Sequence, residues 1–213
     1  DAAGYADDAK SLLISMSDSN FFIETKKYYG NCVTTGFIRL NGALVGCVAN
    51  QANQSASICA DGAQKAAAMV DFCDAFDIPV LTITNVDGFK ATTCSEKRIA
   101  KAAAKLTYAY ANATVPSVNV MVGNAFGSAY VMMNSKSLGA DMVYAWPTAK
   151  VGMMNSDSAV KIMYADELEA ADNKQAFINE KKAEYESQQA SPMAAAKRGY
   201  VDDIIEPDAT RKR

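Results

Sequence analysis

The stretch VNVMVGNAFGSAYVMMNSKSL, Val118 to Leu138, holds the residues best spaced to do chemistry. A β-branched run (Val118, Val120, Val122) leads through turn glycines at Gly123 and Gly127 into an Ala/Met/Tyr-rich segment that reads as a helix. The backbone N–H groups of Gly127, Ser128 and Ala129 then open that helix, where amides lack intrahelical acceptors and the dipole is positive. Such a place suits a negative oxygen. Two readings stand side by side: an oxyanion hole of backbone amides, which needs only small residues so that a carbonyl oxygen can approach, or small residues that let a helix pack tightly on its strand.

Three other chemistries fail on spacing. A phosphate loop needs G-x-x-x-x-G-K-[ST], whereas here the second glycine comes one residue early and Ser128 follows without a lysine. The dinucleotide pattern G-x-G-x-x-G is absent, and a nucleophile elbow needs G-x-S-x-G with a base. The sequence has no histidine. That removes a Ser-His-Asp triad, a Cys-His pair and every imidazole metal ligand. Proton chemistry must then come from carboxylates, lysine, tyrosine, a partner or the substrate itself.

The elements that must position this turn alternate along the chain. Residues Asp7 to Tyr29 read as helix, and Thr34–Leu40 and Ala43–Asn50 as strands joined by an Asn41-Gly42 hairpin turn. Asp61-Gly62 opens a helix with Met69, Phe72, Cys73 and Phe76 on its apolar stripe, stopping before Pro79. Pro79 to Thr84 is an apolar strand of the kind covered on both faces, and Asn85 to Phe89 is a loop at its C-terminal end. A helix over Ser95–Ala113 turns Ile99, Ala103, Leu106, Tyr110 and Ala113 to one face. Lys97, Lys101 and Lys105 fall on another, facing a phosphate, an acidic partner or simply water. Beyond the turn come strands over Ala140–Trp146 and Ala149–Met154, helices over Ser158–Glu186 and Pro192–Arg198, and a strand over Tyr200–Ile205. This succession predicts an α/β fold with interior strands.

With 213 residues, half of them hydrophobic, the chain can bury a substantial core. A net charge of −3 offers no basic field for nucleic acid. No apolar run reaches the ~20 residues of a membrane helix, and the start DAAGYADD lacks a signal-peptide pattern. A soluble, cytoplasmic chain is expected. Without an initiator Met, and ending on ATRKR, it reads as cut from something longer. Five cysteines without a C-x-x-C pair predict free thiols rather than a disulfide or zinc framework.

The runs TGFIRLNGALVGCVANQ, KAAAMVDFCDAFDIPVLTITNVDGF, AKLTYAYANATVP, NAFGSAYVMMNSKSLGAD, VYAWPTAKVGMM and GYVDDIIEP resemble, in order, the C-terminal half of the carboxyltransferase subunits of biotin-dependent acyl-CoA carboxylases and decarboxylases. The resemblance implies the crotonase fold, with residues 1–213 as one carboxyltransferase C-terminal domain and the N-terminal carboxyltransferase domain absent from this chain. It implies trimers or dimers of trimers, in which the active site lies between this domain and the N-terminal domain of another subunit. By the same resemblance the amides of Ser128 and Ala129 hold the ureido oxygen of biotin, with Gly127 permitting the approach. The resemblance further implies that Gly88, Phe89, Phe126, Tyr130 and Val131 line the substrate site. Biotin arrives on a separate carboxyl carrier protein, no metal is used, and a carboxyl group moves between carboxybiotin and a short-chain acyl-CoA. Biotin then serves as the base, which accounts for a chain without histidine.

This sequence departs from the family pattern at three places. Ser128 stands for a glycine, Val131 for a frequent aspartate linked to acyl preference, and Asp87-Gly88-Phe89 for Pro-Gly-Phe. Decarboxylation within a membrane complex, a crotonase-type hydratase or isomerase with a carboxylate near the turn, and a non-catalytic assembly domain are the alternatives. Met132, Met133, Met153 and Met154 suit either subunit contacts or an ordinary core.

Overall fold

The computed structural model describes residues 2–170 and 173–213. After a 3₁₀ turn, α1 (Ala9–Met16) is capped by Asp8, whose carboxylate accepts from the Ser11 amide, and buries Ala9, Leu12, Leu13 and Met16. The helix expected to reach Tyr29 stops here. Ser17 is extended and buried, Ser19 and Asn20 take positive φ, and β1 (Ile23–Thr25) pairs antiparallel with β2 (Val33–Leu40). The polar Ser17–Asn20 interruption is therefore a break rather than a solvated patch on one helix.

β2 turns through Asn41 and Gly42, at φ 52° and 85°, into β3 (Ala43–Asn50), as a two-residue turn with both central φ positive requires. β4 (Ser57–Ile58) leads into α2 (Ala60–Ala75). The buried face of α2 is mainly alanine, Val70, Met69 and Cys73. Phe72 and Phe76, expected on that stripe, are exposed instead, their rings 4.6 Å apart and Phe72 meeting Phe37 edge-on at 5.8 Å. α2 approaches β3 closely at Cys73, whose Sγ lies 2.2 Å from where a Cβ on Gly46 would stand, a spacing that suits a face of small residues.

β5 (Val80–Val86) is buried throughout and runs two residues into the expected loop, and β6 (Gly88–Phe89) pairs parallel with β4 in a separate small sheet. α3 (Thr93–Asn112) buries Ala102, Leu106, Ala109 and Tyr110, while Lys97, Lys101 and Lys105 are exposed. β7 (Ser117–Phe126) and α4 (Gly127–Val131) follow. After them come β8 (Met142–Ala145), β9 (Lys150–Gly152), α5 (Ser156–Met163), α6 (Ala165–Ala170), α7 (Lys174–Gln188), α8 (Pro192–Lys197) and β10 (Asp203–Ile204). The helical segment expected over Ser158–Glu186 is thus broken at Tyr164, and its part at residues 171 and 172 lies outside the described residues. The expected strand over Tyr200–Ile205 is shorter, confined to Asp203–Ile204.

The main sheet has eight strands in the order β1-β2-β3-β5-β7-β8-β10, with β9 paired to the far end of β7. From β3 onward the pairs are parallel. One core lies between the sheet and α2, α3, α4 and α8, and a second, with Trp146, between the sheet and α1. Met132 and Met133 belong to the first core and Met153 is exposed.

Gly123 is no turn. β7 continues through it, and its register on β5 jumps from Thr84↔Met121 to Val86↔Ala125, leaving a bulge opposite Asn85. The Asn85 side chain fills this bulge. Its Oδ1 accepts from the Asn124 amide at 2.9 Å, and its Nδ2 donates to the Ala6 carbonyl and to Asp7 Oδ1, both at 3.0 Å. A Cβ on residue 123 would lie 2.5 Å from Asn85 Oδ1, so the close approach requires glycine. Replacing Asn85 by leucine leaves the half-buried Asn124 amide and Ala6 carbonyl without this partner and is expected to cost about 2 kcal/mol. Urea denaturation checks this against Asn124→Ala, whose lost side-chain bond is the exposed one to Asp87 and whose cost should stay below about 1 kcal/mol. Equal losses in the two variants would remove Asn85 from its place as the pin of the bulge.

Candidate functional site

The site begins where β7 ends. Its first half is flanked by β5 and β8, its last residues Asn124, Ala125 and Phe126 pair with Lys150, Val151 and Gly152 of β9, and the chain then turns at Gly127, φ 63°, into α4. α4 is five residues long, far short of the helix expected up to Leu138. Asn134 takes φ 54° and a 3₁₀ turn covers Lys136–Leu138. The reason is a polar anchor beneath it: buried Asn119 accepts from Thr84 Oγ1 at 2.8 Å and donates to the Met133 carbonyl at 3.1 Å, pulling the chain off the helical path.

The start of α4 differs from the other helices with a defined cap. α1, α2, α3, α5, α7 and α8 each have an N-cap side chain accepting a backbone amide, whereas Phe126, the N-cap of α4, supplies none. Among the described residues, no side chain and no backbone carbonyl outside the helix accepts from the Ser128 or Ala129 amide. These are donors held in place without an acceptor.

Gly127 opens on a cleft of about 290 Å³, walled also by Tyr130, Val131, Met153, Arg198 and Tyr200. The wall is mostly apolar side chain, Arg198 is its one charged residue, and among the described residues lining it there is no Asp or Glu. Burial pushes the Tyr130 hydroxyl up to about 12, with Tyr200 adding to the effect, so it stays protonated at neutral pH. The Met153 side of the cleft is held by the C-terminal end of α7. Tyr185 donates to the Met154 carbonyl at 3.2 Å, and Glu186 pairs with Lys150 at 2.9 Å and accepts from Ser156 Oγ at 2.7 Å. The hydrogen bond from Lys150, with that from Ser156, keeps the Glu186 carboxyl below the usual carboxylate range.

Of the residues expected at the site, the cleft brings together Gly127, Tyr130 and Val131. Ser128, exposed, and Ala129, buried, follow Gly127 in α4 but do not themselves line the cleft. Phe126 is buried, and Gly88 and Phe89 lie in β6, which packs on α4 without lining the cleft. Asp87 is fixed beside this end of β7 by the Asn124 side chain, 2.6 Å away. Sequence reasoning on the turn alone missed the opposite wall, Val151, Gly152, Met153, Ala195, Arg198 and Tyr200. The signal for part of it lay in the runs VYAWPTAKVGMM and GYVDDIIEP, which read locally as strands and give no sign of facing the turn.

Residues 3–213 match the carboxyl transferase domain family. The propionyl-CoA carboxylase beta chain of Roseobacter denitrificans is 44% identical over 208 residues, which are 97% of this chain and 40% of the relative. The methylmalonyl-CoA decarboxylase subunit alpha of Propionigenium modestum is 41% identical over 204 residues, 95% of this chain and 40% of that one. A crystal structure of transcarboxylase 12S, a hexamer with methylmalonyl-coenzyme A and methylmalonic acid bound, superposes with a TM-score of 0.92 at 38% identity, over 96% of this chain and 40% of that one. The architecture is therefore the crotonase-like α/β fold of carboxylase and transcarboxylase structures. The chain spans about two fifths of the length of these relatives.

At Gly127 the left-handed backbone and the space are separable costs. A Cβ there would meet only the Met153 carbonyl oxygen, at 3.3 Å. Gly127→Ala is expected to lower stability by about 1–2 kcal/mol, the ordinary cost of a left-handed residue. A thermal or urea melt checks it, and a loss beyond about 4 kcal/mol would mark the turn as indispensable to folding.

Proposed function

Because this chain belongs to the carboxyl transferase domain family, we propose that residues 1–213 are the C-terminal carboxyltransferase domain of an enzyme moving a carboxyl group between carboxybiotin and a short-chain acyl-CoA of the acetyl-, propionyl- or methylmalonyl-CoA type. The observation that carries this reading is the pair of uncapped amides, Ser128 and Ala129, beside a left-handed glycine at the mouth of a mostly apolar cleft. These residues fit biotin. Two amides without an acceptor suit a ureido oxygen, and the lack of a Cβ at Gly127 leaves the approach open.

When bound, biotin supplies the carboxyl carrier and a nitrogen that can act as base. This chain's part is to hold and polarise. The Ser128 and Ala129 amides, fixed in the first turn of α4, are the groups to take up negative charge, and one such donor is typically worth about 3 kcal/mol of barrier. Val131 and Met153 give the cleft wall apolar surface, and Tyr130 keeps its proton as a neutral donor. In this reading Gly88, Phe89 and Phe126 support α4 from behind rather than touch the acyl group.

The other participants belong to the same proposal: an acyl-CoA, a biotin carboxyl carrier protein, an N-terminal carboxyltransferase domain from another subunit, and a trimer or dimer of trimers. Decarboxylation is a second reading of the same site, favoured by the likeness to the Propionigenium modestum decarboxylase subunit. Among the described residues no helix is long and apolar enough to cross a membrane, and no group of three or more Cys, Asp or Glu gathers as for a metal ion. We place the protein in the cytoplasm. A crotonase-type hydratase would want a carboxylate in the cleft, which the described lining residues do not offer.

The test uses the protein with its N-terminal domain restored. CO2 release from malonyl-CoA and methylmalonyl-CoA is measured with and without added biotin, in wild type and Gly127→Ile. Biotin-dependent release that falls by at least about 100-fold in the variant, with folding kept by circular dichroism, is the expected outcome. Unchanged turnover in the variant would take the turn out of the mechanism. No biotin-dependent release from either thioester, in a folded wild-type oligomer, would overturn the carboxyltransferase reading itself.

A further inference from the structure

Among residues that do not line the cleft, two cysteines far apart in sequence come into contact. Cys32, just before β2, and Cys59, the N-cap of α2, have their sulfurs 3.0 Å apart. The Cys59 amide also donates to Cys32 Sγ at 3.3 Å, and Cys59 Sγ accepts from the Gly62 amide at 3.4 Å. Cys32 is buried and Cys59 half-exposed, so one sulfur of the pair meets solvent while the other waits behind it.

We propose that Cys32 and Cys59 are a peroxide-sensitive dithiol, a site of reversible disulfide formation. The argument is geometric first: the sulfurs need to close by only about 1 Å to reach the ~2.05 Å of a disulfide. The surroundings select which sulfur reacts. Cys59 sits at the N-terminus of a sixteen-residue helix, where the dipole favours a thiolate. The Cys32 thiol donates to it, which brings Cys59 down to about 6 against an opposing burial effect and pushes Cys32 up. Lys65, two turns along α2 and nearly fully buried, adds an attractive positive charge, and Asp61 opposes. Its Nζ is anchored on the Val33 carbonyl at 2.8 Å.

The chemistry balances with hydrogen peroxide as the oxidant. The Cys59 thiolate attacks one peroxide oxygen, the O–O bond breaks, and the departing hydroxide takes a solvent proton to become water, leaving a sulfenic acid on Cys59. Cys32 sulfur then attacks Cys59 sulfur, the S–O bond breaks, and hydroxide leaves as water with the Cys32 proton. Two sulfurs lose two electrons in total and one peroxide becomes two waters. A small thiol reverses the step by exchange. Cys94, exposed and without a cysteine neighbour, is the internal comparison.

The full-length protein is treated with equimolar hydrogen peroxide, alkylated, digested without reductant and mapped by mass spectrometry. The expected result is a Cys32 peptide joined to a Cys59 peptide, released by dithiothreitol, with Cys94 still alkylated. Cys32→Ser should instead leave a Cys59 sulfenic acid that dimedone traps, and Cys59→Ser should remove both products. Oxidation falling on Cys94 with no Cys32–Cys59 link, or Cys59 going directly to sulfinic acid in wild type, would overturn the proposal. The wild-type map decides it even where a serine variant folds poorly, and it does not depend on the biotin reaction.

Discussion

The Asn85 carboxamide holds the central strand at the point where it changes partners. β7 is ten residues long and serves three neighbours, β5 along most of its length, β8 on its first half and β9 on its last three residues. A straight strand cannot do this. The bulge at residues 122–124 re-aims its end, and a bulge leaves amides unpaired that must find acceptors. Asn85 supplies one from the neighbouring strand and ties its own nitrogen to the N-terminal segment at Ala6 and Asp7. The direction in which Gly127 leaves the sheet, and so the placement of α4, follows from that one side chain and from the glycine that lets it approach.

A second polar anchor works one layer deeper. Thr84, Asn119 and the Met133 carbonyl form a buried chain from β5 through β7 to the turn after α4. Such buried polar links are costly unless fully made, and once made they specify a single arrangement. They fix the exit of α4, while Tyr185, Glu186 and Ser156 fix the β9 side of the cleft. The cleft is held by hydrogen bonds from three directions rather than by its own apolar wall.

Much of this was legible in the sequence, and the misses share a cause. The hairpin at Asn41-Gly42, the buried strand β5 and the helix α3 follow from turn chemistry and periodicity, which are local. So did the strand, the glycine at 127 and the start of a helix. What failed was set by distant partners: Gly123 reads as a turn because its reason for being glycine, Asn85, is far off in sequence. The helix expected to Leu138 was cut short by Asn119, and the one expected to Tyr29 gave way to β1 because β2 offered an edge. Phe72 and Phe76 have the right spacing for a core face and the wrong bulk for a sheet this close. The alternation of Cys32 and Cys59 with other residues carries no signal at all until β2 and α2 are brought side by side.

The brevity of α4 has an electrostatic consequence. A long helix projects a field that reaches several ångströms and draws anions in proportion to their charge, so that a phosphate group gains more than a neutral carbonyl. Five residues have little macrodipole to project. What remains at Gly127 is short-ranged and directional, two N–H vectors whose pull falls away within a hydrogen-bond length. A mouth of this kind discriminates by shape and by where charge develops during a reaction, rather than by how much charge a molecule brings. Apart from the Arg198 charge on the wall, it offers little to a free multivalent anion drifting past, and a great deal to a weakly polarised oxygen that a carrier presents at the right angle.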